Sequence, residues 1–252
     1  MRRITLVLFI AALLGCAGTE EIQQAYYEFD NGLTVILRPA EKAKQAVLMV
    51  LFDIGGLHDP VGKSGMAHLI EQVYVTAAAG ETPPRTAEQF MEQYPDGWNA
   101  QTGETYTLFA TIFDRRQLDR EVKDAAARMG DLHLSESDIQ REKGRVREEL
   151  ANMYERVPWL VAFNHSREMA VPSPEGMRRA GLPDAVSAIT LDQVRTRWER
   201  FYKPANATVI LAGDFDLNEA QGLIEQHFSR IPSGDRAPAP ARRALPRTGE
   251  VL

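Results

Sequence analysis

Gly65-Met66-Ala67-His68-Leu69-Ile70-Glu71-Gln72 is the stretch on which the reading of this chain turns. Written as a helix, positions 68, 71 and 72 stand at i, i+3 and i+4 and share one face, so an imidazole, a carboxylate and an amide point the same way. The other positions are apolar or small. Burying three polar groups on such a helix costs free energy unless each finds a partner, and a metal ion or a hydrogen-bond network would supply one. The spacing H-x-x-E alone is common on helix surfaces, so the surroundings carry the argument.

Upstream, residues 45–54 form a nearly continuous apolar run that reads as a central strand buried on both faces. Gly55-Gly56 ends it, and a helix is expected over 64–77. Before that strand, residues 26–29 and 33–37 flank Asp30-Asn31-Gly32, a strong hairpin signal. Downstream, Thr86-Ala87-Glu88-Gln89 is a capping box opening a second helix. Residues 97–103 and 105–113 read as strands, and 117–129 as a helix. A long helix spans 136–156, started by Ser135 and stopped by Pro158. Further helical patterns cover 159–169, 191–202 (opened by the capping box Thr190-Leu191-Asp192-Gln193) and 217–228, with a β-branched strand over 207–212. Strands interspersed with helices predict an α+β fold, helices layered on a mixed, largely antiparallel sheet.

The octapeptide resembles the inverted zinc motif H-x-x-E-H as it occurs in the pitrilysin/insulinase peptidase family, which includes the mitochondrial processing peptidase subunits. Every position fits the family string except the last, where Gln72 stands for histidine; Asp59-Pro60 and Gly62 match the usual lead-in. The resemblance implies the fold of that family's metallohydrolase half-domain and zinc held by positions 68 and 72 and by a glutamate about 77 positions beyond the second. From 72 that is Glu149, inside Arg147-Glu148-Glu149-Leu150. It implies that Glu71 is the general base of a metal-assisted peptide hydrolysis, and that Glu142 is a carboxylate orienting the ligands. Asn99-Ala100, with Thr102 and Tyr106, resembles the family's edge strand, which receives an extended peptide by strand addition. Met153 to Pro158, Phe201 to Asn206 and Ala212 to Asp216 continue the likeness, so that it runs from about residue 26 to 230.

Gln72 decides how far the chemistry carries. Zinc in such sites prefers imidazole nitrogen or thiolate sulfur, so an amide at 72 implies weak or absent zinc binding and weak or lost peptidase activity. No other histidine offers itself as a replacement: His58 falls in the turn before the helix, and His133, His165 and His227 read as surface or packing residues. The alternative is a non-catalytic, membrane-tethered subunit that binds peptides or completes an active partner. Family members usually carry two related halves. The resemblance therefore also implies a second pitrilysin-like half or an intact partner subunit beside residues 25–232, with 233–252 a Pro-, Ala- and Arg-rich linker towards it.

The N-terminus has its own logic. Arg2-Arg3 precede an apolar run over 4–14, too short to span a bilayer and suited to a signal peptide. The run ends in Leu13-Leu14-Gly15-Cys16, which resembles a bacterial lipobox. That resemblance implies a signal peptide over 1–15, lipidation of Cys16, a tether over 16–24 and a lipid-anchored place in the bacterial cell envelope, on the periplasmic side. Cys16 is the only cysteine among 252 residues, so no intramolecular disulfide can form. Charged residues make up 25% of the chain, mixed in sign, with a net charge of -6. No basic stripe with interleaved aromatics is present, which argues against nucleic-acid binding.

Overall fold

A computed structural model describes residues 24–40, 42–159, 162–163, 166 and 181–239. Cys16, His165, residues 1–23 and the last part of the 233–252 segment lie outside the described residues. So does most of the expected 159–169 helix, of which Trp159, Ala162, Phe163 and Ser166 are helical.

The first hairpin forms as the Asn-Gly signal requires. Strands β1 (Ala25–Glu28) and β2 (Thr34–Pro39) pair antiparallel, Tyr26 opposite Ile36, around Gly32 at a φ of 87°. β3 (Ala46–Phe52) sits mid-sheet between β6 (Thr107–Phe113) and β8 (Ala207–Gly213), antiparallel to both. β8 runs parallel to β2, and β5 (Trp98–Thr102) closes the far edge against β6. The six-stranded order is therefore β1-β2-β8-β3-β6-β5, with one parallel pair in an otherwise antiparallel sheet.

β3 departs from expectation in one respect. Ala46, Leu48, Val50 and Phe52 are buried, whereas Val47, Met49 and Leu51 are only half-buried. The period-2 alternation of a strand sends these two sets to opposite faces. One face carries the core with Val35, Leu37, Val209, Leu211 and Phe113. The other presents Ile36, Ile210 and Met49 in one cross-strand row and is less covered.

Onto the buried face pack α1 (Met66–Thr76), α3 (Leu118–Gly130) and α7 (Leu217–Phe228); α2 (Ala87–Gln93) packs against α1, and the 21-residue α4 (Glu136–Arg156) adds Ile139, Val146 and Leu150 to the core. α4 also meets α1 and a short helix, α5 (Pro183–Ser187), which opens on Pro183 and was not among the expected elements. α6 (Leu191–Phe201) follows it. The predicted caps form: Thr86, Ser135 and Thr190 each accept from the backbone N–H three residues on, and the third residue's side chain returns the bond. A two-stranded sheet joins β4 (Ala78–Ala79) to β7 (Leu132–His133). Among the described residues no helix is long and apolar enough to cross a membrane.

Candidate metal and peptidase site

α1 is unusual for so short a helix in that ten of its eleven residues are buried, leaving Gln72 alone half-exposed. A helix buried all round cannot rely on water for its terminal backbone groups. Both ends are served by charged side chains instead. At the N-terminus, Asp59 reaches from the preceding loop and accepts from Gly65, Met66 and Ala67 N–H at 2.8, 3.1 and 2.9 Å. At the C-terminus, Arg85 Nε donates to Val75 O at 2.9 Å, and Arg128 Nη1 donates to the Tyr74 carbonyl and, at 3.2 Å, to Ala77 O. Asp124 lies between these guanidiniums, 2.9 Å from Arg128 Nε and 3.6 Å from Arg85 Nη2. Burial pushes the Asp59 carboxyl up to about 7 against the pull of its three N–H bonds; in its ionised form it complements the helix dipole, as do the cations at the C-terminus.

Glycine makes the entry to α1 possible. Gly65 precedes the first turn at a φ of 97°, and Gly181, at 104°, crosses directly over it. A Cβ on Gly181 would stand 2.5 Å from the Gly65 Cα, so this backbone crossing excludes any side chain.

The fixed helix presents His68, Glu71 and Gln72 as the i, i+3, i+4 reading requires. His68 Nε2 lies 3.4 Å from the Gln72 side-chain nitrogen and 3.5 Å from Glu149 Oε2 on α4. Residues 68, 72 and 149 therefore converge, although 149 stands 77 positions beyond 72. The hydrogen bond from His68 is the main cause holding the Glu149 carboxyl below its ordinary pKa, against the opposing effect of burial.

Glu71 takes a different partner. Its Oε2 accepts from Thr102 Oγ1 at 2.5 Å, which ties α1 to the end of β5. Burial nonetheless raises its pKa above the ordinary carboxylate value, with the His68 and Thr102 interactions pulling the other way. The sign of the linkage follows. A carboxyl with a raised folded-state pKa favours folding while protonated, and that advantage is lost as pH rises from the ordinary glutamate value through the folded one. In Glu71→Gln this loss is absent, so the variant is expected to unfold at a higher temperature than the parent at pH 7 and to converge with it near pH 4. Thermal melts across that range check the sign.

Glu142 is fully buried on α4. Its Oε1 accepts from Thr76 Oγ1 at 3.0 Å and Arg141 Nε at 2.9 Å, and its Oε2 from Arg145 Nη1 at 3.0 Å. Thr76 Oγ1 is also 3.0 Å from Gln72 O, and its single proton serves one of the two acceptors at a time, so the hydroxyl stands between Glu142 and the backbone of residue 72. Asn99 and Ala100 lie on edge strand β5, opposite Ala110 and Phe109. Thr102, two to three residues further along, is the point where that strand touches Glu71. Asn99 and Ala100 thus stand roughly 7–10 Å from it along the strand. Of the other described histidines, His58 Nδ1 accepts from Gly55 N–H at 3.1 Å, while His133 and His227 face Asp131 and Asp119.

Sequence reasoning did not assign roles to Asp59, Arg85, Arg128, Asp124 or the Thr102 hydroxyl. Asp59 left a signal as part of the lead-in string, and Thr102 as part of the edge-strand likeness.

The spacings from His68 to its two neighbours are those of ligands on a divalent ion. Ligands about 2.0–2.1 Å from a tetrahedral ion stand about 3.3–3.4 Å from one another, close to the 3.4 and 3.5 Å found here. The donor chemistry is weaker than the geometry. Among the described residues no three His, Cys, Asp or Glu side chains gather as a metal site, because the third place belongs to an amide.

Known proteins resemble the chain in sequence and in fold. The family model described as Insulinase (Peptidase family M16) matches residues 34–172, and one described as Peptidase M16 inactive domain matches 188–251. The zinc protease PqqE of Helicobacter pylori is 26% identical over 216 residues, covering 83% of this chain and 48% of that protein. The uncharacterized zinc protease YmfH of Bacillus subtilis is 23% identical, over 86% of this chain and 52% of its own. The chain thus spans about half the length of these curated relatives. Among solved structures, a protease from Helicobacter pylori superposes with a TM-score of 0.76 at 22% identity, covering 87% of this chain and 54% of that one. The first half of the periplasmic protease PqqL from Escherichia coli gives 0.75 at 22%, covering 90% and 49%. With a family model matching more than half of its residues and the fold of these peptidases, the chain belongs to the insulinase family of peptidases, M16.

Proposed function

We propose that this chain is the peptide-handling half of an insulinase-family zinc peptidase whose hydrolytic centre is weakened by Gln72. The observation that carries the reading is the Gln72 amide, 3.4 Å from His68 Nε2 in the place of a third strong donor. His68, Glu149 and the Gln72 amide oxygen would hold the ion, which when bound supplies Lewis acidity to a peptide carbonyl. Glu71, held by Thr102, takes a proton from the attacking water and passes it to the leaving amine. Glu142 steadies residue 72 through Thr76. An extended peptide adds to the edge of β5 that no described strand occupies, along Asn99 and Ala100, which brings it to Thr102 and so to Glu71.

A second reading is a non-catalytic subunit that holds peptides or completes an active partner. The exposed edge of β5, which needs no metal, favours it. In both readings a second pitrilysin-like half or an intact partner closes the site. Residues 25–232 are the peptidase unit and 233–252 a linker. The chain resides at the periplasmic side of a bacterial envelope, anchored through lipid on Cys16 after removal of residues 1–15. The periplasmic description of PqqL supports that address. Fatty-acid labelling is expected in the parent and not in Cys16→Ser.

Fluorescein-labelled casein peptides test the functional proposal. The parent and Gln72→His are expected to bind them equally, measured by polarisation, while only Gln72→His cleaves them when an intact partner half is supplied. Cleavage by the parent at the rate of Gln72→His contradicts the weakened centre. Absence of peptide binding in both contradicts the peptide-handling role.

A further inference from the structure

The contacts at His68 constrain the one group whose orientation was open. His68 Nε2 faces the Glu149 carboxylate at 3.5 Å and the side-chain nitrogen of Gln72 at 3.4 Å. A single ring nitrogen cannot donate to Glu149 and at the same moment accept from an amide N–H. Rotating the Gln72 amide by half a turn removes the conflict, since amide nitrogen and oxygen are interchangeable in placement. The oxygen then faces the same point as His68 Nε2 and Glu149 Oε2. Gln72 is also the only residue of α1 that is not buried, so the point is reachable from solvent.

From this arrangement, and resting on the weakened-centre reading above, we infer that Gln72 enters the site through Oε1, making a one-imidazole, two-oxygen cation site with a bias towards harder divalent ions. Imidazole suits zinc, whereas carbonyl and carboxylate oxygens suit manganese and magnesium. Replacing one of two imidazoles by an amide oxygen therefore weakens zinc more than manganese. Absolute affinity still follows the general order in which zinc exceeds manganese; the changed quantity is the ratio between them. The amide remains a ligand, and removing it weakens manganese as well.

The experiment titrates the full chain and its variants with zinc by calorimetry and with manganese by electron paramagnetic resonance. Circular dichroism verifies folding; the half-exposed position of residue 72 makes its variants tolerable. The zinc-over-manganese affinity ratio is expected to rise at least ~10-fold from the parent to Gln72→His, judged against the ~10–100-fold that ligand-supporting changes produce. Gln72→Ala is expected to lower manganese affinity by a similar factor, and His68→Ala to abolish binding of both ions. An unchanged ratio between parent and Gln72→His, or undiminished manganese binding in Gln72→Ala, overturns the oxygen-donor assignment. So does a parent that binds neither ion while Gln72→His binds zinc, an outcome that leaves the weakened-centre reading standing. If Gln72→His binds no zinc, the framework reading itself falls, and this inference with it.

Discussion

Gln72→His is expected to raise zinc affinity by at least ~10–100-fold and to bring the chain to one zinc per molecule. The lower bound comes from what the loss of a supporting partner alone does to a metal site; exchange of a direct donor acts more strongly. The remaining parts are already in place. His68 and Glu149 stand 3.5 Å apart on two helices that pack together, and residue 72 lies one helical turn from His68 on the open side of α1. An imidazole at 72 needs no backbone movement to reach the shared point, because i and i+4 side chains on a helix are neighbours. Equilibrium dialysis against a zinc chelator reads the change. Adding Glu71→Gln to Gln72→His should leave the zinc in place and remove any hydrolysis gained, since the two residues supply different things. If both binding and hydrolysis vanish in that double variant, the division of roles between Glu71 and the ligands is wrong.

The second large effect concerns stability. Asp124→Ala removes the carboxylate between Arg85 and Arg128, whose side chains are 9% and 4% exposed. Breaking a buried ion pair by deleting one member leaves an uncompensated buried charge and costs about 3–5 kcal/mol. For a chain of this size each kcal/mol lowers the midpoint by roughly 2–4 °C, so a fall of about 6–20 °C is expected. Arg116→Ala, which deletes a pair between exposed side chains with Asp114, is expected to leave the midpoint unchanged. Because Arg85 and Arg128 hold the last carbonyls of α1, hydrogen exchange in Asp124→Ala should rise first at Tyr74 to Ala77 and in the 181–182 crossing later. Equal midpoints for Asp124→Ala and the parent would mean that the triad does not secure the helix.

The elements read from sequence were those set by local chemistry. Capping boxes at Thr86 and Thr190 and the Ser135 cap located three helix starts, and α4 and α7 have the expected bounds. Asn31-Gly32 located the first hairpin. The placing of Glu149 beside His68 came from the family resemblance, not from any periodicity. What escaped was set by pairs far apart in the chain. The Thr102 bond to Glu71 and the Arg128 bonds to the end of α1 join residues 31 and 54 positions apart, and nothing in the local pattern of either partner announces the other. The half-covered face of β3 has the same origin. An apolar run shows that a strand is central, but not which of its faces meets a helix.

Zinc content of the purified parent chain is the measurement that bears most directly on the central claim, that an intact peptidase framework carries a weakened centre at residue 72. Elemental analysis after dialysis in metal-free buffer is expected to find well under one zinc per chain, against one per chain in Gln72→His. One tightly held zinc per parent chain, lost in His68→Ala, would contradict the account.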